Sequence, residues 1–149
     1  MAEVIDQIKI PRVQHPDVFP SLLPRLGKNP LVVCHNDADG LSAGVILKKA
    51  LERENLEPTI RIIGRGENAY SPEFQQEIER RAGEGRLSGL IITDLGVSAD
   101  LPSRDLPTVI IDHHVPSGFP EQAVVISGID DDPIPTSSLL AYRAASALG

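Results

Sequence analysis

Apolar residues along this chain gather in short unbroken runs, and the spacing between runs alternates with helical periodicity. Leu31–Cys34, Leu90–Thr93 and Thr108–Ile111 are continuous rather than alternating, the pattern of strands buried on both faces. Thr59–Ile63, just past Pro58, and Ala123–Ser127 predict two further strands. Between the first two, Leu41, Val45, Ile46, Leu47, Ala50 and Leu51 repeat at helical spacing and predict a helix from Leu41 to about Asn55, with Lys48, Lys49, Glu52 and Arg53 outward. Ser71-Pro72-Glu73 carries the N-cap and first-turn proline of a second helix, ending near Gly83. A last helix begins at Thr136 or Ser137 and holds Leu139, Leu140, Tyr142 and Ala145. Short buried strands alternating with helices predict an open parallel α/β sheet.

Residues 1–30 break this rhythm. Pro11, Pro16, Pro20, Pro24 and Pro30 exclude a long helix and predict an irregular lead-in that packs on the domain, with room for one short helix. His15, a lone histidine in that segment, reads as surface. The domain proper is then 31–149.

Composition narrows the class. A chain of 149 residues suits one domain, and 41% hydrophobic residues with 3% aromatics and no Trp predict an aliphatic core. The scarcity of aromatics also argues against a base-stacking platform. A net charge of −7 disfavours a broad phosphate-tracking surface, although carboxylates filled by divalent ions attract phosphate. Cys34, the single cysteine, excludes an internal disulfide and fits a reducing compartment. With no apolar run of about 18 residues and no signal-peptide pattern, a cytoplasmic location is expected.

Chemistry concentrates where predicted strands end. Leu31–Cys34 runs into His35, Asp37 and Asp39; Leu90–Thr93 into Asp94-Leu95-Gly96; Thr108–Ile111 into Asp112-His113-His114. In open parallel sheets the carboxyl ends of strands line the ligand crevice, so these groups are expected to converge. Mixed carboxylates and imidazoles suit first-row divalent ions. So many carboxylates need cationic charge to coexist. Two metal ions with a bridging carboxylate would provide it, and such a pair suits hydrolysis of phosphate esters or anhydrides. Singly, each motif is unspecific: Asp39-Gly40 reads equally as a turn and cap, Asp94 as a loop acid, His113-His114 as surface, Asp130-Asp131-Asp132 as a solvated loop. Their joint occurrence at successive strand ends carries the inference.

Together, His35-Asn36-Asp37-Ala38-Asp39-Gly40, Asp94-Leu95-Gly96 and Asp112-His113-His114 resemble the first three motifs of the DHH phosphoesterase superfamily, over about residues 30 to 149. The resemblance implies an open five-stranded parallel sheet with helices on both faces and two divalent cations, commonly Mn²⁺, with Mg²⁺ or Co²⁺ as alternatives. It implies that His35 and Asp37 hold one ion, Asp39 and His113 the other, and that Asp94 bridges both. Asp112 would orient the cluster and His114 would face the scissile phosphate. The His-x-Asp-x-Asp-Gly spacing is nearer the RecJ-like branch than the pyrophosphatases and nano-RNases. The family's fourth motif follows the helix that here resembles Ser137–Leu148, and Asp130, Asp131 and Asp132 match it poorly. The resemblance thus implies a chain cut short before that motif and lacking the C-terminal substrate-gripping domain.

The expected activity is phosphodiester hydrolysis on single-stranded nucleic acid or short oligonucleotides, with Arg65, in the loop after the second strand, as a phosphate contact. Two alternatives stay open: a small-molecule phosphatase or pyrophosphatase, and a non-catalytic regulatory module on the same fold.

Overall fold

A computed structural model describes residues 13–149. Five strands, β1 (Pro30–His35), β2 (Thr59–Ile63), β3 (Gly89–Thr93), β4 (Thr108–Ile111) and β5 (Ala123–Ile126), form one sheet in the order β2-β1-β3-β4-β5. All neighbours run parallel. The α/β architecture is the one expected from the sequence, and β5 stops one residue short of Ser127. Of the Pro-rich segment, residues 1–12, with Pro11, lie outside the described residues.

Side chains alternate across the sheet and build two cores. Val32, Ile91, Val109, Ile111 and Ile126 face three helices: α1 (Phe19–Leu26), α2 (Ala38–Arg53) and α4 (Ser137–Ala147). Leu31, Val33, Leu90, Ile92, Ile110 and Val125 face the other way, against α3 (Pro72–Gly83) and the helix-free segments around Val97, Leu101, Leu106 and Phe119. Both faces carry helices, but unevenly.

Among the described residues the lead-in holds a 3-10 turn, Pro16–Val18, running directly into the short helix α1. Phe19, Leu22 and Leu26 of α1 are buried in the first core, although Pro24 sits inside the helix. An interior proline costs about 3 kcal/mol in an isolated helix; here apolar burial over eight residues offsets it. Upstream, Gln14 bridges to the outer edge of β5, donating to Val125 and accepting from Ser127.

Helix α2 begins earlier than its apolar periodicity predicts. Asp37 is the N-cap, accepting the Gly40 N–H at 2.8 Å, so Ala38, Asp39 and Gly40 form the first turn. Apolar spacing cannot register a turn whose residues serve the site rather than the core. Gly40 is required there because a Cβ would lie 2.4 Å from the His35 carbonyl oxygen.

Register fixes the functional edge. Cys34 stands beside Thr93, and Thr93 beside Ile111. The next residues, His35, Asp94 and Asp112, therefore leave the sheet side by side. The order reverses at β1, with β2 on one side and β3 on the other, which opens a crevice at their carboxyl ends. Among the described residues, no helix is long and apolar enough to cross a membrane.

Candidate metal centre

The exit of β1 and the start of α2 bring three of the expected ligands together. His35 Nδ1 is 2.9 Å from Asp37 Oδ2, while Asp37 Oδ1 caps α2. The Gly40 N–H foremost, with His35 beyond it, holds the Asp37 pKa below the ordinary carboxylate value. Asp39 lies in the first turn of α2 and reaches sideways to α4. Its Oδ2 accepts the Ser137 N–H at 3.1 Å and its Oδ1 the Ser138 N–H at 2.8 Å. Burial works against ionisation of Asp39, but bonds from Ser138 and Ser137 outweigh it and lower its pKa.

At the end of β3 the backbone turns sharply. Asp94 takes φ of 63° and Gly96 φ of 88°, conformations that Asp and Gly tolerate better than other residues. The turn aims the Asp94 carboxylate inward, with its side chain only 2% exposed. His113 Nε2 lies 3.1 Å from Asp94 Oδ1 and 3.5 Å from Asp39 Oδ2, while His35 Nδ1 is 4.0 Å from Asp94 Oδ2. Ser137 Oγ donates to Asp94 Oδ1 at 3.1 Å. Burial, followed by the neighbouring Asp37 and Asp39, pushes the Asp94 pKa up to about 6. Burial likewise, then Asp94 and Asp37, raises the Cys34 thiol to about 11, which keeps it a neutral strand residue.

Asp112 is fully buried, and both of its oxygens are engaged by neighbouring donors. Its Oδ2 accepts the Gly96 N–H at 2.7 Å; its Oδ1 accepts the His114 N–H at 2.8 Å and meets His114 Nδ1 at 2.6 Å. Tyr70 closes this network, its hydroxyl donating to the Gly96 carbonyl at 2.8 Å. An acceptor-only carboxylate at Nδ1 calls for Nδ1–H and leaves Nε2 for a ligand. Burial disfavours protonation of His114, but Asp112 prevails and raises its pKa. The His113 and His114 rings lie 4.2 Å apart.

Two donor groups result. One ligand atom each from His35, Asp37 and Asp94 lie within 4.8 Å of one another, as do atoms from Asp94, His113 and His114. Asp94 belongs to both. Asp39 is close to His113, yet its two oxygens are turned to α4. No Lys or Arg pairs with Asp37, Asp39, Asp94 or Asp112 among the described residues. Nitrogen and oxygen donors around a surplus of negative charge fit hard-to-borderline divalent cations.

Two other regions lie apart from these groups. Arg65 is exposed beyond the end of β2 and has no hydrogen bond or ion pair to the described residues. Asp130, Asp131 and Asp132 are exposed on the loop before α4, where they line an open groove with Ile134, Leu139 and Arg143. Of the residues that hold the expected ligands in place, Ser137, Ser138 and Tyr70 escaped sequence reasoning, and Gly96 entered only as a motif residue. Ser137 and Ser138 were visible only as a helix start, because backbone N–H donors to Asp39 carry no sequence signature and a lone buried serine hydroxyl, such as the one Ser137 gives Asp94, carries little.

The family model described as "DHH family, N-terminal domain" matches residues 29–147. A search of curated proteins returns no significant relative. Among solved structures, the chain resembles exonuclease RecJ bound to manganese, with a TM-score of 0.69 and 19% identity over 94% of this chain and 39% of that one. It also resembles RecJ in complex with Mn²⁺ from Thermus thermophilus (TM-score 0.67, 22% identity, 89% of this chain, 20% of that one). CDC45 from Entamoeba histolytica is similar too (TM-score 0.70, 17% identity, 91% of this chain, 30% of that one). At these identities the likeness is one of fold, and the chain spans well under half the length of each. The match over residues 29–147, on a sheet whose strand ends carry the motif residues, identifies the chain as a member of the DHH family, bearing its N-terminal domain.

Proposed function

We propose that this chain is the N-terminal catalytic domain of a metal-dependent phosphodiesterase acting on single-stranded nucleic acid or short oligonucleotides. One observation carries the reading: Asp94, a buried carboxylate, is shared by two donor groups whose aspartates have no Lys or Arg partner among the described residues. His35 and Asp37 would hold one divalent ion, His113 and Asp39 a second, with Asp94 between them. Mn²⁺ suits this mixed nitrogen and oxygen set, and the manganese-bound RecJ structures of the same fold support the choice. When bound, such a pair supplies positive charge to phosphoryl oxygens and activates water at neutral pH.

The protein's own groups then have distinct tasks. His114, held at Nδ1 by Asp112 and biased toward its protonated form, presents Nε2–H to a phosphoryl oxygen where charge develops. Asp112 fixes that ring and, through Gly96, the turn that aims Asp94. Arg65, exposed and uncommitted, would meet a neighbouring phosphate of a longer substrate. The His-x-Asp-x-Asp-Gly spacing favours this branch over pyrophosphatases.

The test is calorimetric titration of the chain with Mn²⁺, with Asp94→Ala in parallel. Saturable binding that Asp94→Ala abolishes is expected; no binding, or binding that survives the substitution, would overturn the metal site. Single-turnover incubation of excess protein with a 5′-labelled oligonucleotide and Mn²⁺ tests the substrate. A parallel incubation with inorganic pyrophosphate tests the rival: phosphate released there, with the oligonucleotide untouched, would replace a diester by an anhydride.

A further inference from the structure

Two residues of helix α4 reach the metal centre, and one of them, Ser137, engages two carboxylates. Ser137 is fully buried. Its hydroxyl donates to Asp94 Oδ1 at 3.1 Å and its backbone N–H to Asp39 Oδ2, also at 3.1 Å. We propose that Ser137 is a positioning residue of the metal centre, orienting the Asp94 carboxylate so that its two oxygens address different donor groups. The inference rests on the metal-binding reading above.

Three observations support it. The cap of α4 is already provided by Thr136, whose side chain accepts the Leu139 N–H at 3.2 Å, so helix initiation makes no demand on the Ser137 hydroxyl. A buried hydroxyl without a partner is costly, and this one is spent on Asp94. The terminal torsion of an aspartate is broad and two-fold, so a carboxylate in a loop needs an outside donor to distinguish its oxygens. Ser137 does so on Oδ1, the oxygen that His113 approaches at 3.1 Å, which leaves Oδ2 toward His35 at 4.0 Å. A bond of this kind to a ligating group typically governs metal affinity by about 10–100-fold.

Calorimetric Mn²⁺ titration of the whole chain distinguishes positioning from simple helix stability. Ser137→Ala is expected to raise the Mn²⁺ Kd by about 10–100-fold, and Ser137→Thr, which keeps the hydroxyl, to recover part of that loss. Thr136→Ala removes the cap, lowers the melting temperature, and should leave the Kd within about twofold because it does not touch Asp94. Ser137→Ala binding like wild type while Asp94→Ala abolishes binding would overturn the role of Ser137 alone. A Kd weakened equally by Thr136→Ala would also overturn it, since the effect would then belong to the helix. Absence of Mn²⁺ binding to the wild-type chain would overturn the metal reading itself.

Discussion

Two clusters of carboxylates on this domain are built on opposite principles. Beside β2, Glu67 and Glu77 face Arg61, and Glu77 also meets Arg81 at 3.1 Å. Arg61 pulls the exposed Glu67 down to about 2 and lowers Glu77, while its guanidinium lies 5.5 Å from the centre of the Phe74 ring. Every charge there has an opposite charge in contact. At the ends of β1, β3 and β4 the aspartates have, among the described residues, histidines, hydroxyls and backbone N–H groups but no Lys or Arg, and Asp94 is pushed up rather than down. Such a cluster is tolerated only at a cost, which is the usual mark of a site kept for a ligand rather than for stability. The first cluster is balanced by its own arginines. In the second, on the reading proposed above, bound metal ions would supply that balance.

The largest expected effect removes the acceptor on which the second cluster is built. Asp112→Ala would leave the Gly96 and His114 N–H groups and His114 Nδ1 facing an empty, fully buried space, a loss of about 3 kcal/mol or more by urea unfolding. A loss below about 1 kcal/mol would mean that water replaces the carboxylate and that the network is not rigid. Next comes a change of opposite sign. Asp94→Asn removes a buried charge repelled by Asp37 and Asp39 and is expected to stabilise the metal-free protein at pH 7.5 by about 1–2 kcal/mol while abolishing the Mn²⁺-induced rise in melting temperature. Destabilisation of the metal-free form would show that Asp94 is already neutralised within the protein, and the contrast between clusters would collapse.

How much of this contrast the sequence discloses depends on which atoms do the work. The strand ends were legible because each apolar run stops at an ionisable residue: Cys34 before His35, Thr93 before Asp94, Ile111 before Asp112. Parallel register then does the convergence, and register follows from the buried runs themselves. Three features were not legible. Helix α2 starts at Ala38 because the Asp37 side chain reaches Gly40, an event that leaves no mark on apolar spacing. Runs buried on both sides cannot tell which face receives α1, α2 and α4. The grip of α4 on Asp39 uses main-chain N–H groups of Ser137 and Ser138, which any residue but proline would supply.

A smaller effect tests the compensated cluster. Arg61→Met is expected to cost about 1 kcal/mol near pH 7, mainly through the partly buried pair with Glu77. The sign of its pH dependence follows from lowered acid pKa values: the stabilisation is present above the unfolded carboxylate range and is lost as pH falls through the folded values, for Glu67 about 2. The gap in melting temperature between wild type and Arg61→Met should therefore narrow from about pH 4.5 down to about pH 2. A constant gap would assign the contribution of Arg61 to packing on Phe74 instead of charge.

The smallest effect on the fold belongs to the neighbouring arginine, and it separates the two clusters most directly. Arg61 and Arg65 flank the exit of β2, but only Arg61 is bound by glutamates; Arg65 is exposed with no described partner. Arg65→Ala should change unfolding free energy by less than about 0.5 kcal/mol and leave the Mn²⁺ Kd unaltered. If Arg65 meets a phosphate, the same substitution weakens oligonucleotide binding at every sequence and flattens the slope of log affinity against log salt by about 0.7. Fluorescence anisotropy over a salt series reads both quantities. An unchanged slope would confine the substrate to the strand ends, where charge would come from the metal ions and His114 alone.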